Sequence, residues 1–383
     1  MALVLPATTW IEPGARHRAG AEAVALGRAR ALLVTDAFMV QSGVAAEIRA
    51  GLEEAGLAVA LFDGVEPDPT DAAVDEGRAA LVAHEADVVI GLGGGSALDA
   101  AKTIAVRGGN PGPMRQYMGY QQLVGAGLPV IAIPTTAGTG AEATRVVVVT
   151  DTSTDTKMML LDDRLCPTVA LVDVELSATM PRPLTAHVGV DTLTHGIEAY
   201  VSAKATEETD PLALACVRRC GEHLRAAWED GDLEARAGMA RAAYEGGAAF
   251  ANASVCLVHG MSRPLGAVFH VPHGLSNAVL LPTVTAFSLE GAPERYAEVA
   301  RALGLVAGDE SVAAAGDALI AGLEDLNRRL EVPRLRDLPG VTRERFDAAL
   351  PKMAQDALAS GSPDRNPVVP TAEQIEELYR RAW

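Results

Sequence analysis

Over roughly the first 180 residues, short β-branched runs alternate with Ala-rich stretches of helical spacing. ALLVTD, LAVALFDG, ADVVIGLGGG, LPVIAIPTT, VVVVTD and TVALVDVEL are the strand candidates. Strand and helix in alternation predict a mainly parallel, doubly wound sheet. From about residue 183 the strand runs stop, and segments such as DPLALACVRRCGEHLRAAW and SVAAAGDALIAGLEDLNRRL continue with helical periodicity. The pattern therefore predicts an α/β domain over 1–182 and an all-α domain over 183–383. Between them lies TMPRPLTAH, where two prolines around Arg182 are expected to break any helix. In the tail, Thr371 and Gln374 have the spacing of a capping box, which predicts a last helix.

Composition narrows the partners. With 383 residues, 49% of them hydrophobic, the chain can bury a large core. A formal charge of -18 repels phosphate backbones and anionic membranes, so neither nucleic acid nor a membrane is expected as a partner. The N-terminus lacks a basic region followed by an apolar core, and no apolar stretch has the length of a membrane span. A cytoplasmic location is the expectation. Cys166, Cys216, Cys220 and Cys256 form no CxxC pair; Cys216 and Cys220 share a helix face and are read as packing residues.

VVIGLGGGSALDAAKTIA runs from strand through a glycine turn into a helix, the arrangement that turns backbone N–H groups and a positive helix end toward a pyrophosphate. Gly93, Gly94 and Gly95 clear side chains from the phosphate's path, and Ser96 can cap the helix or donate to an oxygen. Asp99, on the same helix, is counted with this cofactor-binding set. A second loop, PTTAGTGAEAT, also follows a strand and carries Thr135, Thr136 and Thr139. Loops after neighbouring parallel strands lie side by side at the carboxyl edge of the sheet, where open α/β sheets bind ligands. Asp36 closes ALLVTD; it is either a helix cap or the acid that takes ribose hydroxyls and turns away a 2′-phosphate, which favours NAD over NADP.

In GVDTLTHGIEAY, Asp191 and His195 are four residues apart, so on a helix they project from one face. Three of the chain's eight histidines fall in HGMSRPLGAVFHVPH, among them His259 and His273. Three imidazoles and one carboxylate suit Fe²⁺ or Zn²⁺ better than Ca²⁺ or Mg²⁺.

These motifs in this order resemble the iron-containing (group III) alcohol dehydrogenases of the dehydroquinate-synthase-like fold, along essentially the whole chain. VTDAFMVQSGV, GLGGGSALDAAK, PTTAGTGAEAT, LTAHVGVDTLTHGIEAYVS, HGMSRPLGAVFHVPHGLSNAVLLP and PTAEQIEELYRRA carry the resemblance. It implies a Rossmann-like α/β domain and an all-α domain, with metal and nicotinamide in the cleft between them. Asp191, His195, His259 and His273 fall on the family's metal ligands. Gly94, Gly95 and Ser96 fall on its pyrophosphate loop, Thr135, Thr136 and Thr139 on its second cofactor loop. Asp36 falls on the acid linked to NAD preference, and Lys157 on a lysine near the cofactor. The implied enzyme is an NAD- and Fe²⁺- or Zn²⁺-dependent oxidoreductase of small alcohols and aldehydes, assembled as a homodimer or larger. Its alternatives are a hydroxyacid-oxoacid transhydrogenase, a maleylacetate-reductase-like enzyme and, for want of a basic string near the ligands, less readily a dehydroquinate-synthase-like lyase.

Two positions depart from the family pattern. Where many members have a second histidine four residues after the first, this chain has Arg263, which stays protonated and cannot act as a base. It either holds an anionic group of substrate or cofactor, or pairs with a protein acid such as Asp162 or Asp163 or reaches solvent. That reading requires the helix to continue to Pro264. His270 either replaces the lost proton relay or is a wall residue. Asp68 stands where the family often has Asn.

Overall fold

Every pairing in the main sheet is parallel. In the computed structural model, which describes residues 2–154 and 156–383, six strands stand in the order β1-β9-β6-β4-β2-β3. These are β1 (Thr8–Ile11), β2 (Arg30–Asp36), β3 (Ala58–Val65), β4 (Val88–Gly93), β6 (Val130–Pro134) and β9 (Val169–Val172). The central strands read as continuous apolar runs because both faces are covered; β4 and β6 are buried throughout. Helices α1 (Ala19–Ala25) and α3 (Val44–Glu54) pack on one face, α4 (Asp71–Ala83) and α5 (Gly95–Arg107) on the other, and the short α2 (Ala37–Gln41) follows β2 directly.

VVVVTD forms β7 (Val146–Asp151), but it does not join this sheet. It pairs antiparallel with β8 (Thr156–Leu161), and β8 pairs with the two-residue β5 (Gly119–Tyr120). An apolar run predicts a strand and says nothing of its partner. Here alternate residues are buried, the mark of a half-covered hairpin strand.

The chain divides into two compact units, Val4–Thr179 and Met180–Trp383, the second joined by the first residues of the chain. In the second unit the described elements are all helical. They are α6 (Arg182–Val201), α7 (Asp210–Glu229), α8 (Leu233–Asn252), α9 (Leu257–Phe269), α10 (His273–Ser288), α11 (Pro293–Ala302), α12 (Val312–Arg329), α13 (Arg343–Ala359) and α14 (Ala372–Arg381), with short 3₁₀ turns. The prolines flanking Arg182 start a helix instead of breaking one: Pro181 is the N-cap of α6 and Pro183 lies in its first turn. A first-turn proline lacks only an N–H that has no helical partner anyway. The capping box at α14 forms as its spacing predicts, Thr371 and Gln374 each accepting the other's backbone N–H. Cys216 and Cys220 are buried in α7 as packing residues, the Cys216 thiol facing the Thr192 carbonyl of α6 at 3.2 Å. Among the described residues, no helix is long and apolar enough to cross a membrane.

Candidate functional site

Parallel registry brings the first set of residues together. β4 lies between β2 and β6, with Val34 opposite Gly91 and Gly93 opposite Pro134. The turn after β4, the loop after β6 and Asp36 at the end of β2 therefore share the carboxyl edge of the sheet. The Thr135 N–H donates to the Gly93 carbonyl at 3.0 Å. Helix α5 starts at Gly95 with Gly94 as its N-cap, and no side chain caps its first amides. Ser96 thus lies inside the first turn. Open amides at a helix N-terminus are an anion site in waiting.

Glycine is required here by close approach. A Cβ on Gly95 would lie 2.9 Å from the Thr139 methyl, and one on Gly93, whose φ is 141°, would lie 3.3 Å from Asp36 Oδ2. Asp36 caps α2, its Oδ1 accepting from Met39 N at 2.9 Å. The cap uses one oxygen, and the other faces the glycine turn. Asp99 turns away from that surface: its Oδ2 accepts from Val148 N at 2.9 Å and its Oδ1 lies 3.5 Å from Lys102 Nζ. Lys157, on β8, is joined at 2.7 Å to Asp68, which has a left-handed backbone (φ 57°). Two positions singled out separately in the sequence are thus one exposed ion pair.

The second set lies in the helical unit. Asp191 and His195 project from one face of α6. His259 is in the first turn of α9 and His273 opens α10. One ligand atom each from Asp191, His195 and His259 lies within 4.8 Å of the others, and all three residues are buried. From Asp191 Oδ1, the Nε2 atoms of His195, His259 and His273 are 3.8, 3.6 and 3.8 Å away. Four donors held about 2.1 Å from one ion in a tetrahedron stand about 3.4 Å apart. These separations are within a few tenths of that spacing. The His273 side chain is 48% exposed, so the cluster is not sealed from small molecules.

The surroundings favour positive charge. Burial opposes ionisation of Asp191, but His195, His273 and His259 outweigh it and hold the carboxyl well below the usual carboxylate range. Burial likewise opposes a charge on His259, yet Asp191 and Glu198 raise it to about 9. The Asn277 amide Nδ2 donates to Asp191 Oδ1 at 2.6 Å and lies 3.2 Å from Nε2 of both His259 and His273. One polar atom from each of three candidate ligand residues thus lies within 3.2 Å of Asn277 Nδ2. That donor set fits a divalent ion of borderline softness.

Glu198, which sequence reading passed over, organises this cluster. It lies one turn beyond His195 on α6 and is buried. It accepts from His259 Nδ1 at 2.7 Å, from Cys256 N at 2.8 Å and from Val258 N at 2.6 Å. One carboxylate therefore caps the N-terminus of α9 and fixes the His259 ring with Nε2 directed at the cluster. The i, i+4, i+7 series Asp191, His195, Glu198 was its only trace in the sequence.

Helix α9 continues through Pro264 to Phe269, so Arg263 lies one turn beyond His259. Of the acids named as alternative partners for Arg263, Asp163 pairs with Arg145, and Asp162 with Arg164 at 3.0 Å. Arg263 donates to Ser362 Oγ at 3.1 Å. His270 ends α9 in the left-handed conformation (φ 56°), with its side chain exposed.

Comparison with known proteins agrees with this architecture. Residues 6–174 match the family model "Iron-containing alcohol dehydrogenase", and residues 185–383 match "Fe-containing alcohol dehydrogenase family, C-terminal". The chain is 38% identical over 379 residues to the NAD-dependent methanol dehydrogenase of Bacillus methanolicus, covering 99% of this chain and 98% of the relative. A 1,3-propanediol oxidoreductase structure superposes with a TM-score of 0.96 at 36% identity, over 100% of this chain and 99% of the other. Sulfoacetaldehyde reductase from Bifidobacterium kashiwanohense, solved with NAD⁺, superposes with a TM-score of 0.87 at 28% identity, over 100% and 98%.

Proposed function

Since this chain belongs to the iron-containing alcohol dehydrogenase family, we propose that it interconverts a small alcohol and its aldehyde or ketone with NAD(H) and Fe²⁺. Zn²⁺ is the alternative ion, and the working form is a cytoplasmic homodimer or larger homo-oligomer. The observation that carries this reading is the buried cluster of Asp191, His195 and His259, with His273 at its edge.

Asp191, His195, His259 and His273 hold the ion, and Glu198 keeps the His259 lone pair directed at it. The ion supplies Lewis acidity toward an alcohol or carbonyl oxygen, and NAD supplies the hydride acceptor. Gly93, Gly94, Gly95 and Ser96 take the pyrophosphate, assisted by Thr135, Thr136 and Thr139. Asp36 Oδ2 accepts from ribose hydroxyls, and its charge disfavours a 2′-phosphate. Lys157 contacts the coenzyme from its pair with Asp68. His270, exposed at the end of α9, exchanges the released proton with solvent.

Arg263 selects the substrate. A permanent cation one helical turn from a metal ligand favours a substrate with an anionic group beyond its reacting carbon. Sulfoacetaldehyde, in the name of one structural relative, is an aldehyde of that kind.

The test is to load the protein with Fe²⁺ under anaerobic conditions, add NAD⁺, and follow NADH absorbance with neutral diols, primary alcohols, ω-hydroxy acids and hydroxy sulfonates. Turnover is expected, with higher kcat/KM for the acidic members. No turnover by metal-loaded protein on any of them overturns the dehydrogenase reading. Hydride exchange between a hydroxy acid and an oxo acid on tightly held NAD would make the enzyme a transhydrogenase. Arg263→Ala should lower kcat/KM about tenfold or more for acidic substrates and much less for neutral ones, since a charge-assisted hydrogen bond is worth about 1.5–3 kcal/mol. An equal change for both classes removes Arg263 from substrate selection.

A further inference from the structure

Lys102 is fully buried on α5, the helix that begins at the glycine turn. Its Nζ donates to the Val146 carbonyl at 2.8 Å, the Ala141 carbonyl at 2.9 Å, Thr144 Oγ1 at 3.1 Å and the Thr144 carbonyl at 3.3 Å. Asp99 Oδ1 stands 3.5 Å away. A buried ammonium is costly unless oxygens replace its water. Here they come almost entirely from residues 141–146, where the second Thr/Gly loop passes into β7. Asp99 strengthens the same joint, since its other oxygen takes the N–H of Val148 on β7.

This arrangement makes α5 the anchor of both loops. Its N-terminus forms the first, and Lys102, on the second turn, gathers the end of the other. The spacing between the loops has little tolerance, since even a methyl on Gly95 would meet Thr139 at 2.9 Å. We infer that Lys102 is a positioning residue for coenzyme binding, an internal cation that holds the segment 134–146 so that the Thr135, Thr136 and Thr139 hydroxyls and the open amides of α5 can share one pyrophosphate. The inference rests on reading these two loops as the coenzyme site. Asp99 and Lys102 then act through the loop without touching the coenzyme.

The experiment uses full-length, metal-loaded protein with Lys102→Met, Thr144→Val and Thr136→Val, measuring NAD⁺ affinity by calorimetry and metal per chain by elemental analysis. Lys102→Met leaves several oxygens without their donor and should raise the Kd for NAD⁺ about tenfold or more; Thr144→Val, which removes the hydroxyl that accepts from Lys102 and donates to the Ala141 or Val146 carbonyl, should raise it about 2–10-fold. KM for NAD⁺ should follow Kd, while kcat and metal content stay close to the parent's. If Lys102→Met does not fold, Thr144→Val decides. Unchanged NAD⁺ affinity in the Lys102 and Thr144 variants, with Thr136→Val weakened, overturns the inference and keeps the coenzyme site. Loss of metal together with NAD⁺ also overturns it, because Lys102 would then support the fold at large. If none of the three variants loses affinity, it is the assignment of the loops that falls.

Discussion

Glu198 links two elements through a single carboxylate, accepting from the amides at the start of α9 and from the ring of His259. Glu198→Gln keeps the shape but puts an NH₂ in place of one of the two oxygens, each of which now accepts. Metal affinity should fall about 10–100-fold, the usual cost of losing a carboxylate behind a ligating histidine. Competition with a chromophoric chelator measures this, and an unchanged affinity would show that Glu198 only caps the helix. Glu142 offers a different prediction. Burial pushes its carboxyl up to about 7, so between its ordinary value and about 7 the folded protein binds a proton that the unfolded chain has released. Stability should therefore decline as pH rises through that window. Glu142→Gln should flatten the slope of Tm between about pH 5 and 7, and a slope equal to the parent's would assign the effect to other groups. The candidate ligands were legible because histidine is scarce here and two of the four share a helical spacing. Glu198 was not, because a carboxylate on a helix usually faces water, and only the approach of residues 256–259 gives this one its three donors.

The elements of the sheet were legible from apolar runs, in β4 and β6, which are buried throughout, and also in the more exposed edge strand β3. Long β-branched runs gave β2, β4 and β6, and the neighbouring loops at their carboxyl ends followed from parallel order. The short β1 is only half-buried, and β8, TKMMLL, opens with polar residues, so neither stands out from its flanks. Proline at 264 would ordinarily end a helix, and its tolerance inside α9 could not be read from local sequence. The approach of the two loops yields a further prediction. Gly95→Ala should push Thr139 aside and raise the Kd for NAD⁺, at a cost of about 1–3 kcal/mol for an overpacked contact. Calorimetry on the metal-loaded variant checks it, and parental affinity would mean that the loop yields without loss.

For the whole molecule, each unit should respond to its own ligand. An ion at 100 times its Kd stabilises its unit by about 2.7 kcal/mol. Each kcal/mol moves the Tm of a unit of roughly 200 residues by about 2–4 °C. Removing metal with a chelator should therefore lower the transition of the helical unit by about 5–10 °C. NAD⁺ alone should protect Val4–Thr179 from limited proteolysis. Digestion followed by mass spectrometry separates the two effects, and metal loss that exposed only the N-terminal unit would contradict the assignment of donors. The break between Thr179 and Met180 has a consequence for inheritance. Every candidate metal donor is encoded after it, and every glycine-loop and threonine-loop residue before it. Recombination at that point is then expected to exchange coenzyme preference while ion chemistry passes on unaltered, and hybrid genes joined there would test how far the two traits descend separately.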